Sequence, residues 1–147
     1  MEAARHVVTR VYKEGEISNE ELNLLIDKAN GGDANAEFAL GEMYNYGNGV
    51  EHDMENAARL YKLAADQNHA DAQFALGDMY DLGRGVDKDE AEAYKLYLKA
   101  KYLGLGDQKQ LDDLDDRLRE IKRRLIKDDA TKIYEDVNTW WRQVRDL

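Results

Sequence analysis

The sequence predicts an all-α solenoid of about three helix-turn-helix units closed by a C-terminal helical cap. Three observations carry that expectation. A block of 36 residues occurs twice in succession. The apolar residues within each block recur at helical spacing. Pro and Cys are absent from all 147 residues, while Ala, Leu, Glu, Asp, Lys and Arg are plentiful. That composition favours helices and leaves no disulfide, thiolate metal site or cysteine nucleophile.

The duplication comes first. "FALGEMYNYGNGVEHD" at 38–53 returns as "FALGDMYDLGRGVDKD" at 74–89. With an offset of 36, residues from Ala34 to Ala64 meet 16 identities, among them Ala36, Phe38, Leu40, Gly41, Met43, Tyr44, Gly47, Gly49, Val50, Asp53, Leu60 and Tyr61. Small, aromatic and apolar positions hold; polar ones change, as Asn48 to Arg84 or His52 to Lys88. Such a period marks stacked units, none of which buries its apolar face alone.

Each unit reads as two helices. Ala36, Leu40, Met43 and Tyr44 form one face of the first. Gly41 lies within that helix, where it costs about 1 kcal/mol against Ala, so a neighbouring helix is expected to approach closely there. Gly47 is expected to end the helix in a left-handed cap. Asp53 is placed to cap a second helix whose buried stripe is Ala57, Leu60, Tyr61 and Ala64. Asn68 and Gly104 can close the second helices, and Asn35 and Asp71 can cap the first helices.

The opening segment is a worn copy. Ala4, Tyr12 and Gly15 meet Ala36, Tyr44 and Gly47 at an offset of 32, and Leu24 and Ala29 meet Leu60 and Ala65 at 36. The tail differs. Leu111, Leu114, Leu118, Ile121 and Leu125 step by three and four, as do Ala130, Ile133, Val137, Trp140, Val144 and Leu147. These predict two amphipathic helices joined near Lys127–Asp129, where an aspartate can cap the second. Asp113–Arg117 and Asp115–Arg119 are spaced for surface pairs. The expected division is one domain over 1–147, comprising a degenerate unit at 3–33, units at 34–69 and 70–105, and capping helices at 107–147.

Residues 39–65 and 75–101 resemble Sel1-like repeats, relatives of tetratricopeptide repeats. Leu40-Gly41 with Tyr44, and Leu76-Gly77 with Tyr80, fit the first-helix pattern; Ala57 with Tyr61, and Ala93 with Tyr97, fit the second. The loops Gly47-Asn48-Gly49-Val50 and Gly83-Arg84-Gly85-Val86 are the Sel1-like feature. Glu37 and Gln73 depart from the pattern, standing where tetratricopeptide units favour Trp. The resemblance implies a right-handed superhelix with first helices on the inner side, and a protein-binding scaffold or adaptor. Positions lining the groove would be Asn35, Phe38, Glu42, Asn45 and Tyr46, then Asp71, Phe74, Asp78, Asp81 and Leu82. The worn copy would contribute His6, Arg10 and Lys13.

A formal charge of −10 and a pI near 4.8 argue against nucleic acid and favour a protein or peptide partner, a basic one included. No stretch has the length of a membrane span or a secretory core, so no membrane partner and a cytoplasmic setting are expected; the resemblance implies a bacterial one. Catalysis is not expected. His6, His52 and His69 share no ligand spacing and two of them read as variable surface; the acidic runs at 87–90 and 112–116 lack a calcium-loop pattern; no phosphate-loop Lys-Ser/Thr follows the glycines. Neither metal nor cofactor is expected. Trp141 is a further partner-binding candidate, as an exposed anchor or dimer seam, against packing of both tryptophans on the last unit. The chain is therefore expected to be a non-catalytic interaction module, monomeric or weakly dimeric through its C-terminal helices. The alternative is an immunity- or inhibitor-type protein that caps a toxin or enzyme.

Overall fold

A computed structural model describes residues 17–147, and over them the chain is a succession of helices. These are α1 (Asn19–Asn30), α2 (Ala34–Tyr46), α3 (Met54–Asp66), α4 (Ala70–Leu82), α5 (Glu90–Tyr102), α6 (Gln108–Arg124) and α7 (Lys127–Arg145). Packing is between chain neighbours from α1 to α5; α5 then carries both α6 and α7. This is an all-α solenoid. The first helix expected of the worn copy, with His6, Arg10 and Lys13, lies outside the described residues.

The helical glycines have a direct explanation. A Cβ on Gly41 would stand 2.8 Å from the Tyr61 ring, and one on Gly77 2.8 Å from the Tyr97 ring. Each glycine is a slot on a first helix that receives the tyrosine of the following second helix. Both tyrosines are fully buried. The glycine penalty is therefore offset by burial of a large aromatic surface.

The loops repeat as faithfully. Gly47 and Gly83 end α2 and α4 at φ 63° and 65°, the left-handed conformation expected of them. Asp53 and Asp89 then cap α3 and α5, accepting from the amides of Asn56 and Glu92 at 3.0 Å. Asp53 N–H donates to the Tyr44 carbonyl and Asp89 N–H to that of Tyr80, so the loop is tied to the helix it left. Asn68, at φ 62°, makes the turn after α3.

Three local expectations are corrected. Asn35 and Asp71 do not cap the first helices: Asp33 and His69 do. Asp33 accepts from the Ala36 amide at 2.9 Å, and the His69 imidazole accepts from the Ala72 amide at 3.2 Å. His69 is thus not merely variable surface. The cap position of α7 is Ile126, with no side-chain hydrogen bond, so helix begins before an aspartate can cap it. Arg117 and Asp115 do not pair along α6. Arg117 reaches Asp78 on α4, and Asp115 pairs with Lys101 on α5 at 2.7 Å; tertiary partners win over neighbours four residues away.

The core falls into two clusters. Leu22, Ile26, Leu40, Tyr44, Leu60 and Tyr61 centre the first, and Tyr97, Leu105, Leu114, Ile121 and Val137 the second. Leu22 and Ile26 seat α1 against the first full unit as the second helix of the worn copy would be. The tail stripe is buried at Leu114, Leu118, Ile121, Ala130 and Val137, whereas Leu147, expected as its last member, lies past the end of α7 and is fully exposed.

Candidate functional site

α2 and α4 hold equivalent places in successive units, and both line one cavity of about 340 Å³. It is lined by Phe38, Glu42, Asn45 and Tyr46 from α2 and by Asp71, Phe74 and Asp78 from α4. Those seven belong to the sequence-derived groove set. The other four lie elsewhere. The Asn35 carboxamide oxygen meets the Nε2 of His69 at 3.0 Å. Asp81 pairs with Arg124 at 3.1 Å. Leu82 is exposed at the end of α4. Trp141 is half-buried on α7, its ring 5.8 Å from that of Tyr102, and takes no part in the cavity.

The cavity also holds residues that sequence reasoning assigned elsewhere or passed over: Tyr61, Ala75, Met79, Arg84 and Gln110. Tyr61 is the informative one. Its hydroxyl donates to Glu42. One unit later, the Tyr97 hydroxyl donates to Asp78 at 2.5 Å. The carboxylate precedes the tyrosine by 19 residues in both units. A recurrent acid at that spacing from a tyrosine in a buried stripe was the available signal. A phenylalanine completes each set, with Phe38 and Tyr61 centroids 5.7 Å apart and Phe74 and Tyr97 centroids 5.6 Å apart.

The two sets differ in what meets them. The guanidinium of Arg117, from α6, lies 5.1 Å from the Phe74 ring centre and 6.0 Å from that of Tyr97. Its Nη1 donates to Asp78 and, at 3.3 Å, to the Tyr97 hydroxyl. Cation, carboxylate, phenol and ring form one assembly. Burial holds the Tyr97 hydroxyl well above its ordinary pKa, and the bond to Asp78 adds to that. Burial likewise raises the Asp78 carboxyl, with Tyr97 and Arg117 pulling it back down. In the earlier set, burial and the Glu42 bond raise Tyr61 in the same way. There, Glu42 has Tyr61 as its one hydrogen-bond partner among the described residues. His69 stacks on Phe38 with centroids 4.8 Å apart, yet Phe38 still lines the cavity.

A second cavity, about 180 Å³, lies where α3, α4, α5 and α7 meet, and Lys62, Lys95 and Lys99 line it. Burial lowers the Lys99 ammonium pKa, and Lys95 lowers it further. Lys99 stands 4.9 Å over the Trp140 ring, so the first tryptophan supports a cation on α5. Gln73, on the same cavity, is buried; its amide donates to the Ala65 carbonyl at 2.7 Å while its oxygen has no partner.

No cluster of His, Cys, Asp or Glu able to hold a metal occurs among the described residues, and no helix among them is long and apolar enough to cross a membrane. The arrangement is an acidic, ring-lined cavity on a helical scaffold. Comparison with known proteins makes the class specific: the chain carries two Sel1 repeats, at residues 34–69 and 70–105. Sel1 repeats generally serve as protein-interaction modules.

Solved structures with a similar fold include the following two. A Sel1 repeat protein from Oxalobacter formigenes is 33% identical over 65% of this chain and 38% of its own, with a TM-score of 0.59. A protective antigen of uropathogenic Escherichia coli with an SLR fold is 23% identical over 79% of this chain and 28% of its own, with a TM-score of 0.56. This chain thus spans well under two thirds of either. No curated protein matches it.

Proposed function

We propose that the chain is a non-catalytic interaction module that holds a basic peptide segment or helix in the cavity between α2 and α4. One observation carries this reading. Seven residues predicted for the groove line a single cavity, with the carboxylates of Glu42, Asp71 and Asp78 set around the rings of Phe38, Tyr61 and Phe74. Carboxylates at the rim select positive charge, and rings on the floor supply apolar area. The net charge of −10 favours the same partners.

The structure also decides which residues test it. Asp78 and Asp81 are engaged by Arg117 and Arg124, so neutralising them would disturb the cap. Glu42 and Asp71 are the cleaner pair. Fluorescence anisotropy with a labelled pool of Lys- and Arg-containing peptides, across a salt series, is the measurement. Glu42→Gln with Asp71→Asn should weaken binding and flatten its salt dependence. Unchanged affinity and slope would sink the groove.

A further inference from the structure

We propose that the set formed by Phe38, Glu42 and Tyr61 is a receptor for a single arginine side chain presented by the partner. This deepens the groove reading and rests on it. The warrant is inside the chain. One unit later, the matching set of Phe74, Asp78 and Tyr97 holds an arginine: Arg117 donates to the carboxylate and to the phenol and covers the ring. The ring and carboxylate geometry beneath matches in both units, the difference being His69, which stacks on Phe38 where the later unit has Leu105. Ring separations agree at 5.7 and 5.6 Å, and each phenol donates to the acid 19 residues before it.

What differs is the occupant. In the earlier unit the next element in the stack is α4, and no cation bonds Glu42 among the described residues. Instead the three side chains face a cavity of about 340 Å³, room enough for a guanidinium. Glu42 reaches one methylene further than Asp78, which extends the acceptor toward an incoming group. The phenol's proton is committed to Glu42 and the Asn45 amide also bonds the phenol, so the second Glu42 carboxylate oxygen is the acceptor left for an incoming donor. A planar fork with several donors fits a carboxylate beside an aromatic face; a compact ammonium fits it less well.

The experiment is an NMR titration of the intact chain with N-acetyl-arginine methylamide, and with the lysine and citrulline counterparts. The arginine compound should shift the ring resonances of Phe38 and Tyr61, with the lysine one several-fold weaker and the citrulline one without effect. Glu42→Gln should abolish the response while the fold, followed by circular dichroism, persists. Arg117→Gln should create a second responding set at Phe74 and Tyr97. Equal responses to arginine and lysine, or a response that survives Glu42→Gln, would overturn the proposal. If the peptide pool binds in a Glu42-dependent way but lysine serves as well as arginine, the groove reading stands and this inference falls. Self-association lost in Glu42→Gln would place the arginine on a second copy and overturn the partner assigned here.

Discussion

The units at 34–69 and 70–105 are nearly the same object in different company. Both seat a tyrosine in a glycine slot, end their first helix on a left-handed glycine and cap their second with aspartate. The earlier unit is followed by another unit and keeps its carboxylate facing a cavity. The later one is followed by α6, which delivers Arg117 to Asp78, and Arg124 to Asp81 and Glu90. The lesson is that the shared residues build the scaffold, while the neighbour in the stack decides whether a site is closed or left open.

The strongest way to break the equivalence is at the slots. Gly77→Val forces a branched side chain against the Tyr97 ring and should cost about 3 kcal/mol, the upper part of the overpacking range, in urea denaturation. Gly41→Val should cost about the same, because its contact with Tyr61 is the same length. A wide gap between the two would show that the slots are not equivalent.

The phenols should separate the units instead. Tyr97→Phe removes the hydroxyl that links Asp78 and Arg117 and should cost about 1–2 kcal/mol, as expected for a hydrogen bond to a charged group. Tyr61→Phe should cost less, since Glu42 can turn to solvent through the cavity. Equal costs in denaturation would contradict the open and closed description.

The cap at His69 belongs to the earlier boundary alone. His69→Ala should destabilise by about 1 kcal/mol through loss of the cap, and His69→Asp should restore most of that; Leu105, at the matching place, should show no such rescue.

The smallest effect concerns pH. Burial raises the Asp78 carboxyl above its unfolded value. The folded state therefore favours the protonated form. That contribution is complete below the unfolded pKa and is lost as pH rises through the folded one. Arg117→Gln should move the Asp78 titration, followed by carboxyl-carbon NMR, still higher. No movement would mean that Arg117 does not act on Asp78.

Most of the scaffold was legible because its determinants are local. Gly47, Asp53 and the stripe through Leu60 each act within a few residues, so pattern sufficed. Gly41 was legible as a close approach because a helical glycine needs a compensating contact. His69 was not legible as a cap, because an imidazole serves there only as a neutral acceptor, a role usually filled by Asp, Asn, Ser or Thr. Arg117 looked like a surface partner of Asp113 because helical spacing is visible in sequence, whereas the folding of α6 over α4 is not. Repeat alignment named seven of the residues that line the larger cavity. Asp81 carries nothing in its local sequence to announce Arg124, 43 residues away.

The glycine slot also acts as a ruler. Slot and ring stand 20 positions apart in both full units, Gly41 to Tyr61 and Gly77 to Tyr97. An inserted or deleted residue between them would pull the knob from its socket, so length can vary freely only outside that window. The worn copy is consistent with this. In the sequence alignment Thr9 meets the slot position and Leu25 the ring position, four residues closer together than in the full units, since the offset changes from 32 to 36. With neither Gly nor Tyr at those positions, the shorter spacing in the opening sequence parts no such pair.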